Sequence, residues 1–306
     1  MIERVCVAGA GVIGSLFAGH LAQVADVSVL TRREDHARVL NEEGLRVSGR
    51  SDLHAALTAA TDPAGLPDPD LVLVCCKGTD LEDIGARLGG HFPGATVMTV
   101  QNGLGAWEII GSHGPWPMLA SVTFMSGTRH SDEHVEYILD TATWIGPMRD
   151  TSHADAEAVA ELIRSSGLKA EAFDDLRPAL WSKLIFNATV NAVAALTGLP
   201  HEPRFAQLER PSDLGHLVLA LMDEGKAVAA AAGVELREDP WEMNVHATQR
   251  GSRHYPSMLE DVEAHRPTEI ELITGSLVRE GNRLAVPVPL HTALYQLVKA
   301  KEASWE

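Results

Sequence analysis

The first 174 residues alternate short apolar runs with helical patterns, which is typical of βα units built on a parallel sheet. The run LVLVCC at residues 71–76 shows no polar alternation, so we expect that strand to be buried on both faces. The stretch 133–144 partly alternates and predicts a late hairpin that closes one edge of the sheet. The predicted parallel strands are Arg4–Ala8, Val27–Leu30, Leu71–Cys76, Ala95–Val100 and Met118–Met125.

After residue 174 the pattern changes to long helical segments, and no strand is predicted there. We therefore predict an α/β protein of two domains, a parallel-sheet domain over residues 1–174 and an all-α domain over residues 175–306. The predicted helices of the second domain are Ala179–Leu196, Asp213–Ala232, Pro256–Ala264, Pro267–Leu284 and Leu290–Glu302.

Composition and charge narrow the functional classes. Hydrophobic residues make up 45% and charged residues 22% of the 306 residues, as in folded globular chains. The 25 Lys and Arg against 42 Asp and Glu give a net charge of −17, which disfavours nucleic acid as a partner. The three cysteines have neither a disulfide nor a zinc spacing, and no apolar run approaches the roughly 20 residues of a membrane span. We expect a cytoplasmic protein without a membrane segment.

The first predicted strand leads directly into a G-x-G-x-x-G motif, which a helical pattern follows. In that setting the glycines permit a tight turn, close approach of the backbone to a pyrophosphate, and close contact between helix and strand. A glycine-rich turn without a ligand is the competing interpretation, and the flanking strand and helix disfavour it. The motif predicts a dinucleotide site that includes Gly9, Ala10, Gly11, Val12, Ile13 and Gly14.

Three further strand ends carry polar residues toward the same edge of the predicted sheet. Arg32 follows the second strand, where an acidic residue would favour NAD, so the guanidinium favours the 2′-phosphate of NADP(H). Lys77 and Asn102 follow the next two buried strands and are placed to contact phosphates and the nicotinamide. A solvated basic pair at residues 32–33 and a plain turn at residues 102–103 are the competing interpretations.

Three polar residues recur at every fourth position of the first helix of the second domain. These residues are Lys183, Asn187 and Asn191. Each step of four residues turns about 40° around the helix, so the three side chains form a row about 12 Å long on one face. The other positions are largely apolar, so the pattern favours a polar line on a buried helix; an exposed polar face is the alternative. Ser257 opens a later predicted helix, and Glu269 lies in the first turn of the predicted helix after it. Without a functional role, Ser257 would be explained as a residue near the helix cap and Glu269 as a favourable charge at the helix dipole.

Taken together, these residues resemble the ketopantoate reductase family over nearly the whole chain. The most specific segments are WSKLIFNATVNAVAALTG and PSMLEDVEAHRPTEIELITGSLV. The resemblance implies a Rossmann domain that binds NADPH and a helical domain that completes the active-site cleft. It further implies reduction of 2-dehydropantoate (ketopantoate) to (R)-pantoate in pantothenate biosynthesis.

The resemblance also implies roles for the candidate residues. Lys183 would polarise or protonate the substrate carbonyl with the support of Glu269, and Asn102 would lie near the nicotinamide. Because the family has an asparagine where this chain has His254, a different 2-oxo acid, or an imine, in another pathway is the alternative. The residues assigned to substrate binding are Asn187, Asn191, Ser257 and His254.

The same residues leave other functional classes open. A non-enzymatic NADP(H) sensor would not need the Lys183 line, and opine-type or 3-hydroxy-acid dehydrogenases share the two-domain plan. The H-x-x-E-H pattern at residues 130–134 matches an inverted zinc-protease motif, but it lies in a predicted loop and strand, so no metal is expected. The expected partner is a small-molecule 2-oxo acid, with neither nucleic acid nor membrane; a homodimer stays open.

Overall fold

The computed structural model describes residues 2–209, 212–249 and 255–305. It divides the chain into two compact units, with one short segment of the first half grouped with the second unit. The predicted substrate residue His254 lies outside the described residues. The first unit comprises Met1–Gln101 and Ala106–Leu176, and the second comprises Asn102–Gly105 and Arg177–Glu306.

All the strands of the described chain belong to the first unit. In chain order they are β1 (Arg4–Ala8), β2 (Asp26–Leu30), β3 (Leu45–Gly49), β4 (Leu53–Ala55), β5 (Thr58–Ala60), β6 (Leu71–Val74), β7 (Thr96–Thr99), β8 (Met118–Thr123), β9 (Ser126–Arg129), β10 (His134–Leu139), β11 (Thr143–Pro147) and β12 (Ala170–Ala172). An eight-stranded sheet has the order β12-β11-β8-β7-β6-β1-β2-β5, and its central strands run parallel. Strand β6 is buried at every position, as the unbroken apolar run predicts.

Five α-helices of the first unit are described, and they connect or pack against its strands. They are α1 (Val12–Leu21), α2 (Glu34–Glu43), α3 (Leu81–Leu88), α4 (Ala106–Ser112) and α5 (His153–Ser165). Helix α1 begins at Val12, inside the glycine motif, and is buried along most of its length, because it packs between β1 and the strands of a second sheet. The parallel α/β architecture expected from the sequence is confirmed.

The predicted hairpin over residues 133–144 is wrong. Strand β10 pairs antiparallel with β9 and parallel with β3 in a separate sheet of order β4-β3-β10-β9, whereas β11 joins the main sheet beside β8. The alternating pattern correctly indicated half-buried strands, but it cannot name their partners. Strand β9 has the sequence SGTR and carries no apolar residue, so no hydrophobic pattern predicts it.

Among its described residues the second unit contains helices and no strand. Its helices are α6 (Arg177–Thr197), α7 (Asp213–Ala231), α8 (Pro240–Thr248), α9 (Ser257–Glu263), α10 (Thr274–Arg283) and α11 (Pro289–Ala303). Helix α6 is its centre and packs against α7, α8, α9, α10 and α11. Helix α8, with Asp239 as its N-cap, is not among the predicted helices.

The predicted helix over residues 267–284 begins later than expected, at Thr274. Thr268 donates its backbone N–H and its hydroxyl to the Glu302 carboxylate at 2.8 and 2.7 Å, and its hydroxyl oxygen accepts from the Ile270 N–H. Local side-chain bonds of this kind compete with helix formation. Glu269 therefore lies in a turn, and the expectation that it occupies the first turn of the helix is wrong.

One described helix, α6, is long and apolar enough by composition to cross a membrane, although no membrane span is expected from the sequence. In the structure 83% of its most apolar 18-residue window is buried inside the protein. The same apolar character is what a core helix surrounded by other helices requires.

Candidate functional site

The glycine motif spans the turn between β1 and α1 and the start of α1, and its three glycines have different surroundings. Gly9 has a φ of 105°, and a Cβ there would lie 2.6 Å from the Cys76 nitrogen. A Cβ on Gly14 would lie 2.0 Å from the Gly9 carbonyl oxygen. These two positions therefore need glycine for the turn and for the contact between helix and strand.

Gly11 differs, because a Cβ at this position would meet no atom within 4 Å. It is the N-cap residue of α1 and has no side chain to satisfy the first N–H groups of that helix. An exposed helix N-terminus with open space above a glycine fits an anionic pyrophosphate. The residues of this turn thus fit the dinucleotide that the motif predicts.

Arg32 lies just beyond the end of β2 and forms an ion pair that its sequence position does not predict. Its Nη1 lies 2.9 Å from Oδ1 of Asp80, and 67% of the Arg32 side chain is exposed. The neighbouring Arg33 is paired with Asp35 and Asp132. The position of Asp80, three residues after Lys77, is the one signal in the sequence that could have suggested this contact.

The ends of β6 and β7 are joined by a buried amide. Gln101 Nε2 donates to the carbonyl oxygens of Val74 and Cys76, each at 2.9 Å. This bond fixes the chain just before Lys77, which is exposed and precedes a short 3₁₀ turn at Gly78–Asp80. Nothing in the sequence pattern indicates this structural role of Gln101.

In the helical unit, the polar line on α6 is largely buried. Asn187 and Asn191 are 8% and 6% exposed, and Lys183 is half-buried. The alternative of an exposed polar face is therefore wrong. Asparagine is a mediocre helix former and a buried amide needs partners, so stability alone does not account for these residues.

The amine of Lys183 is electrostatically coupled to Glu269. Burial lowers the pKa of Lys183 from 10.5 to about 8, and the negative charge of Glu269 opposes that shift. Desolvation disfavours the charged form of a lysine, whereas a nearby carboxylate favours it. The result is an amine that can give up a proton near neutral pH, which is the property of a general acid or base.

Asn102 joins the same unit through two contacts. Asn187 Nδ2 donates to Asn102 Oδ1 at 3.3 Å, and the Leu104 N–H donates to the Leu272 carbonyl at 3.2 Å. The residue between them, Gly103, has a φ of 99°, and a Cβ there would lie 1.9 Å from the Leu272 oxygen. The Asn102-Gly103 pair is therefore packed against Asn187 and Leu272, and a plain surface turn does not describe it.

Ser257 and the histidines of the H-x-x-E-H pattern are the remaining candidate residues in the described chain. Ser257 is exposed and begins α9, as the sequence predicts, and α9 packs against α6. His130 lies in a loop and His134 begins β10, so they do not share the helix face that an H-x-x-E-H zinc site needs. Among the described residues no group of three or more His, Cys, Asp or Glu could hold a metal ion.

Comparison with known protein families covers both halves of the chain. Residues 5–150 match the model described as ketopantoate reductase PanE/ApbA, and residues 175–302 match its C-terminal model. The chain belongs to the ketopantoate reductase family. It is therefore a pyridine-nucleotide oxidoreductase, and the resemblance seen in the sequence is confirmed.

Curated relatives of this family align over almost the entire chain. A 2-dehydropantoate 2-reductase of Halobacterium salinarum is 32% identical over 97% of this chain and 98% of its own length. Another 2-dehydropantoate 2-reductase, from Archaeoglobus fulgidus, is 29% identical over 99% of both chains.

Solved structures extend the comparison to proteins with a different named substrate. A PanE/ApbA family ketopantoate reductase from Ralstonia eutropha JMP134 has a TM-score of 0.88 at 29% identity, over 99% of both chains. A D-mandelate dehydrogenase in complex with NADH and anilino(oxo)acetate also has a TM-score of 0.88, at 25% identity and over 99% of both chains. The shared fold thus carries reactions on more than one substrate.

Proposed function

We propose that this protein reduces 2-dehydropantoate to (R)-pantoate with NADPH. The observation that carries the proposal is the half-buried Lys183, whose pKa is lowered to about 8 beside Glu269 on the line that also holds Asn187 and Asn191. Curated relatives at 29% and 32% identity are named for this reaction.

The cofactor would be held by the first unit. The Gly9–Gly14 turn would take its pyrophosphate at the N-terminus of α1, where Gly11 leaves space. Arg32 and Lys77 would meet the adenosine 2′-phosphate and the other phosphates, and these charges support NADPH over NADH. When bound, the reduced nicotinamide supplies a hydride, which carries two electrons, to the carbonyl carbon of the substrate.

Lys183 would complete the reduction at the oxygen. As the carbonyl carbon gains the hydride, negative charge develops on the oxygen, and the Lys183 ammonium donates a proton there to give the alcohol. A pKa of about 8 makes this transfer easier than from an ordinary lysine of pKa 10.5. Glu269 keeps the amine protonated near neutral pH, because its charge raises the lysine pKa.

The asparagines and Ser257 would bind the rest of the substrate. Asn187 is held by its hydrogen bond to Asn102, which fixes the direction of its amide group. Asn191, Ser257 and His254 would donate to the carboxylate or hydroxyl of the substrate. Together these groups would orient a small 2-oxo acid.

A second candidate is the reduction of a different 2-oxo acid. The histidine at position 254, where the resemblance expects asparagine, favours this candidate, as does the likeness to D-mandelate dehydrogenase. A steady-state assay of NADPH and NADH oxidation decides between them, with 2-dehydropantoate, an aromatic 2-oxo acid and pyruvate, each with and without ammonia. A kcat/KM for 2-dehydropantoate at least about tenfold above the others supports the proposal, and turnover that depends on ammonia contradicts it.

A further inference from the structure

The ion pair of Arg32 and Asp80 lies at the point where the proposed function requires a free cation. Arg32 Nη1 and Asp80 Oδ1 are 2.9 Å apart, and both residues belong to the first unit. The Arg32 side chain is largely exposed, whereas only 24% of the Asp80 side chain is exposed. The carboxylate is therefore the better-fixed partner, and the guanidinium is held toward it.

The position of Asp80 in the chain makes this pairing unusual. Asp80 is the N-cap residue of α3, and an aspartate there normally accepts hydrogen bonds from the first N–H groups of its own helix. Its side chain makes no such bond here and points its Oδ1 to Arg32. Its backbone N–H donates to the Lys77 carbonyl at 2.9 Å, so Asp80 is tied to the turn that carries Lys77.

The other arginines near this strand end are held by the fold. Arg33 pairs with Asp35 and Asp132, and Arg87 Nη2 donates to the Thr31 and Thr61 carbonyls at 2.8 and 2.6 Å. Arg32 has the most exposed side chain of these three arginines, at 67% against 51% for Arg33 and 22% for Arg87, and its ion-pair partner is Asp80.

We propose that Asp80 is a cofactor-specificity residue, which weakens the preference for NADP(H) that Arg32 and Lys77 would otherwise produce. The inference rests on the proposed use of this end of the sheet for the adenosine ribose. A 2′-phosphate that binds Arg32 has to displace the carboxylate or lie close to its like charge, and both lower affinity. NAD(H) has only a hydroxyl there and meets no such repulsion.

The test measures nucleotide binding by calorimetry rather than turnover. The dissociation constants of NADP⁺ and NAD⁺ are determined for the wild type, Asp80→Asn and Arg32→Gln. Adenosine 2′,5′-bisphosphate and AMP serve as fragments that isolate the 2′-phosphate. Glu82→Gln is the matched control, because Glu82 lies two residues further along, is exposed, pairs with His113, and loses the same single charge.

We expect Asp80→Asn to tighten the binding of NADP⁺ and of the bisphosphate by about tenfold, and to change NAD⁺ and AMP by less than about threefold. The gain shrinks at 0.5 M salt, because the repulsion is screened near the surface. Arg32→Gln weakens NADP⁺ selectively, and Glu82→Gln changes neither constant.

An unchanged ratio of the two constants in Asp80→Asn, or weaker NADP⁺ binding, overturns the inference; the second result would mean that Asp80 orients Arg32 for the phosphate. If the wild type binds neither nucleotide, the proposed function is wrong, and the inference about Asp80, which depends on it, is wrong as well. Wild-type binding with no change in selectivity leaves the proposed function standing and removes only the role of Asp80.

Discussion

Lys183 and Glu269 form a coupled pair in which the two influences on the lysine act in opposite directions: burial lowers its pKa to about 8, and the glutamate charge raises it. If Lys183 is the proton donor, reduction needs its charged form. We therefore expect kcat/KM to be level below pH 8 and to fall about tenfold per pH unit well above it. A pH-rate profile from pH 6 to 10, with a substrate that does not titrate in that range, measures this.

Glu269→Gln tests the coupling directly. Removal of the carboxylate takes away the influence that raises the lysine pKa, so the fall in kcat/KM should begin at a lower pH than in the wild type. Glu271→Gln is the control, because Glu271 is exposed and pairs with Arg279 and Lys299. A basic limb at the same pH in all three proteins contradicts the coupling.

Lys183→Met separates catalysis from stability. The loss of the proton donor should lower kcat by about 10²–10⁴-fold. The folded protein, in contrast, should keep or raise its Tm, since an apolar side chain of similar length replaces a half-buried ammonium whose desolvation outweighs its attraction to Glu269. Steady-state kinetics and thermal melts measure the two effects, and a kcat within about threefold of the wild type would exclude Lys183 as the donor.

The stability gain of Lys183→Met should itself depend on pH. The wild-type lysine has a lower pKa folded than unfolded, so the unfolded chain binds more protons between pH 8 and 10.5. The free energy of unfolding of the wild type therefore rises with pH over that window relative to that of the variant. The difference in Tm should be greatest below pH 8 and narrow above it; a constant difference would show that the charge is not the cause.

The glycine turn offers a pair of substitutions with opposite outcomes. Gly14→Ala brings a Cβ within 2.0 Å of the Gly9 oxygen and should lower stability by about 1–3 kcal/mol. Gly11→Ala meets no atom within 4 Å, so its Tm should stay near the wild-type value while nucleotide affinity falls at least about tenfold. Melting curves and calorimetry check both, and equal loss of Tm would show that Gly11 is needed only for the fold.

The sequence predicted the parts of this protein that depend on local pattern. The buried strand β6 and the central helix α6 were found within a few residues, because apolar runs and the four-residue spacing of Lys183, Asn187 and Asn191 are visible in the chain. Strand β9, without an apolar residue, was not predicted, and the partner of β10 could not be.

What the sequence could not predict depends on contacts between distant residues. The turn around Glu269 is held by Thr268 and Glu302, which are 34 positions apart. Arg32 and Asp80 are 48 positions apart, so the sequence predicts a phosphate ligand at Arg32 without the carboxylate beside it. Neither pair has a spacing that a helix or a strand would reveal.

Two glycines that flank Leu104 test how Asn102 is held in the helical unit. Gly103 and Gly105 both have a φ of 99°, so alanine strains the backbone at either position. At Gly103 the new Cβ would also lie 1.9 Å from the Leu272 oxygen, whereas at Gly105 the nearest atom is a flexible Leu272 methyl group at 4.0 Å.

Gly103→Ala should therefore lower Tm by several degrees more than Gly105→Ala. It should also reduce kcat, because the displaced segment no longer lets Asn102 accept from Asn187. Each additional 1 kcal/mol of destabilisation corresponds to about 4 °C in a unit of between roughly 100 and 150 residues. Melting curves and kinetics of the two variants are compared at the same pH. Equal changes in both variants would mean that backbone strain alone acts here and that the contact with Leu272 does not hold Asn102.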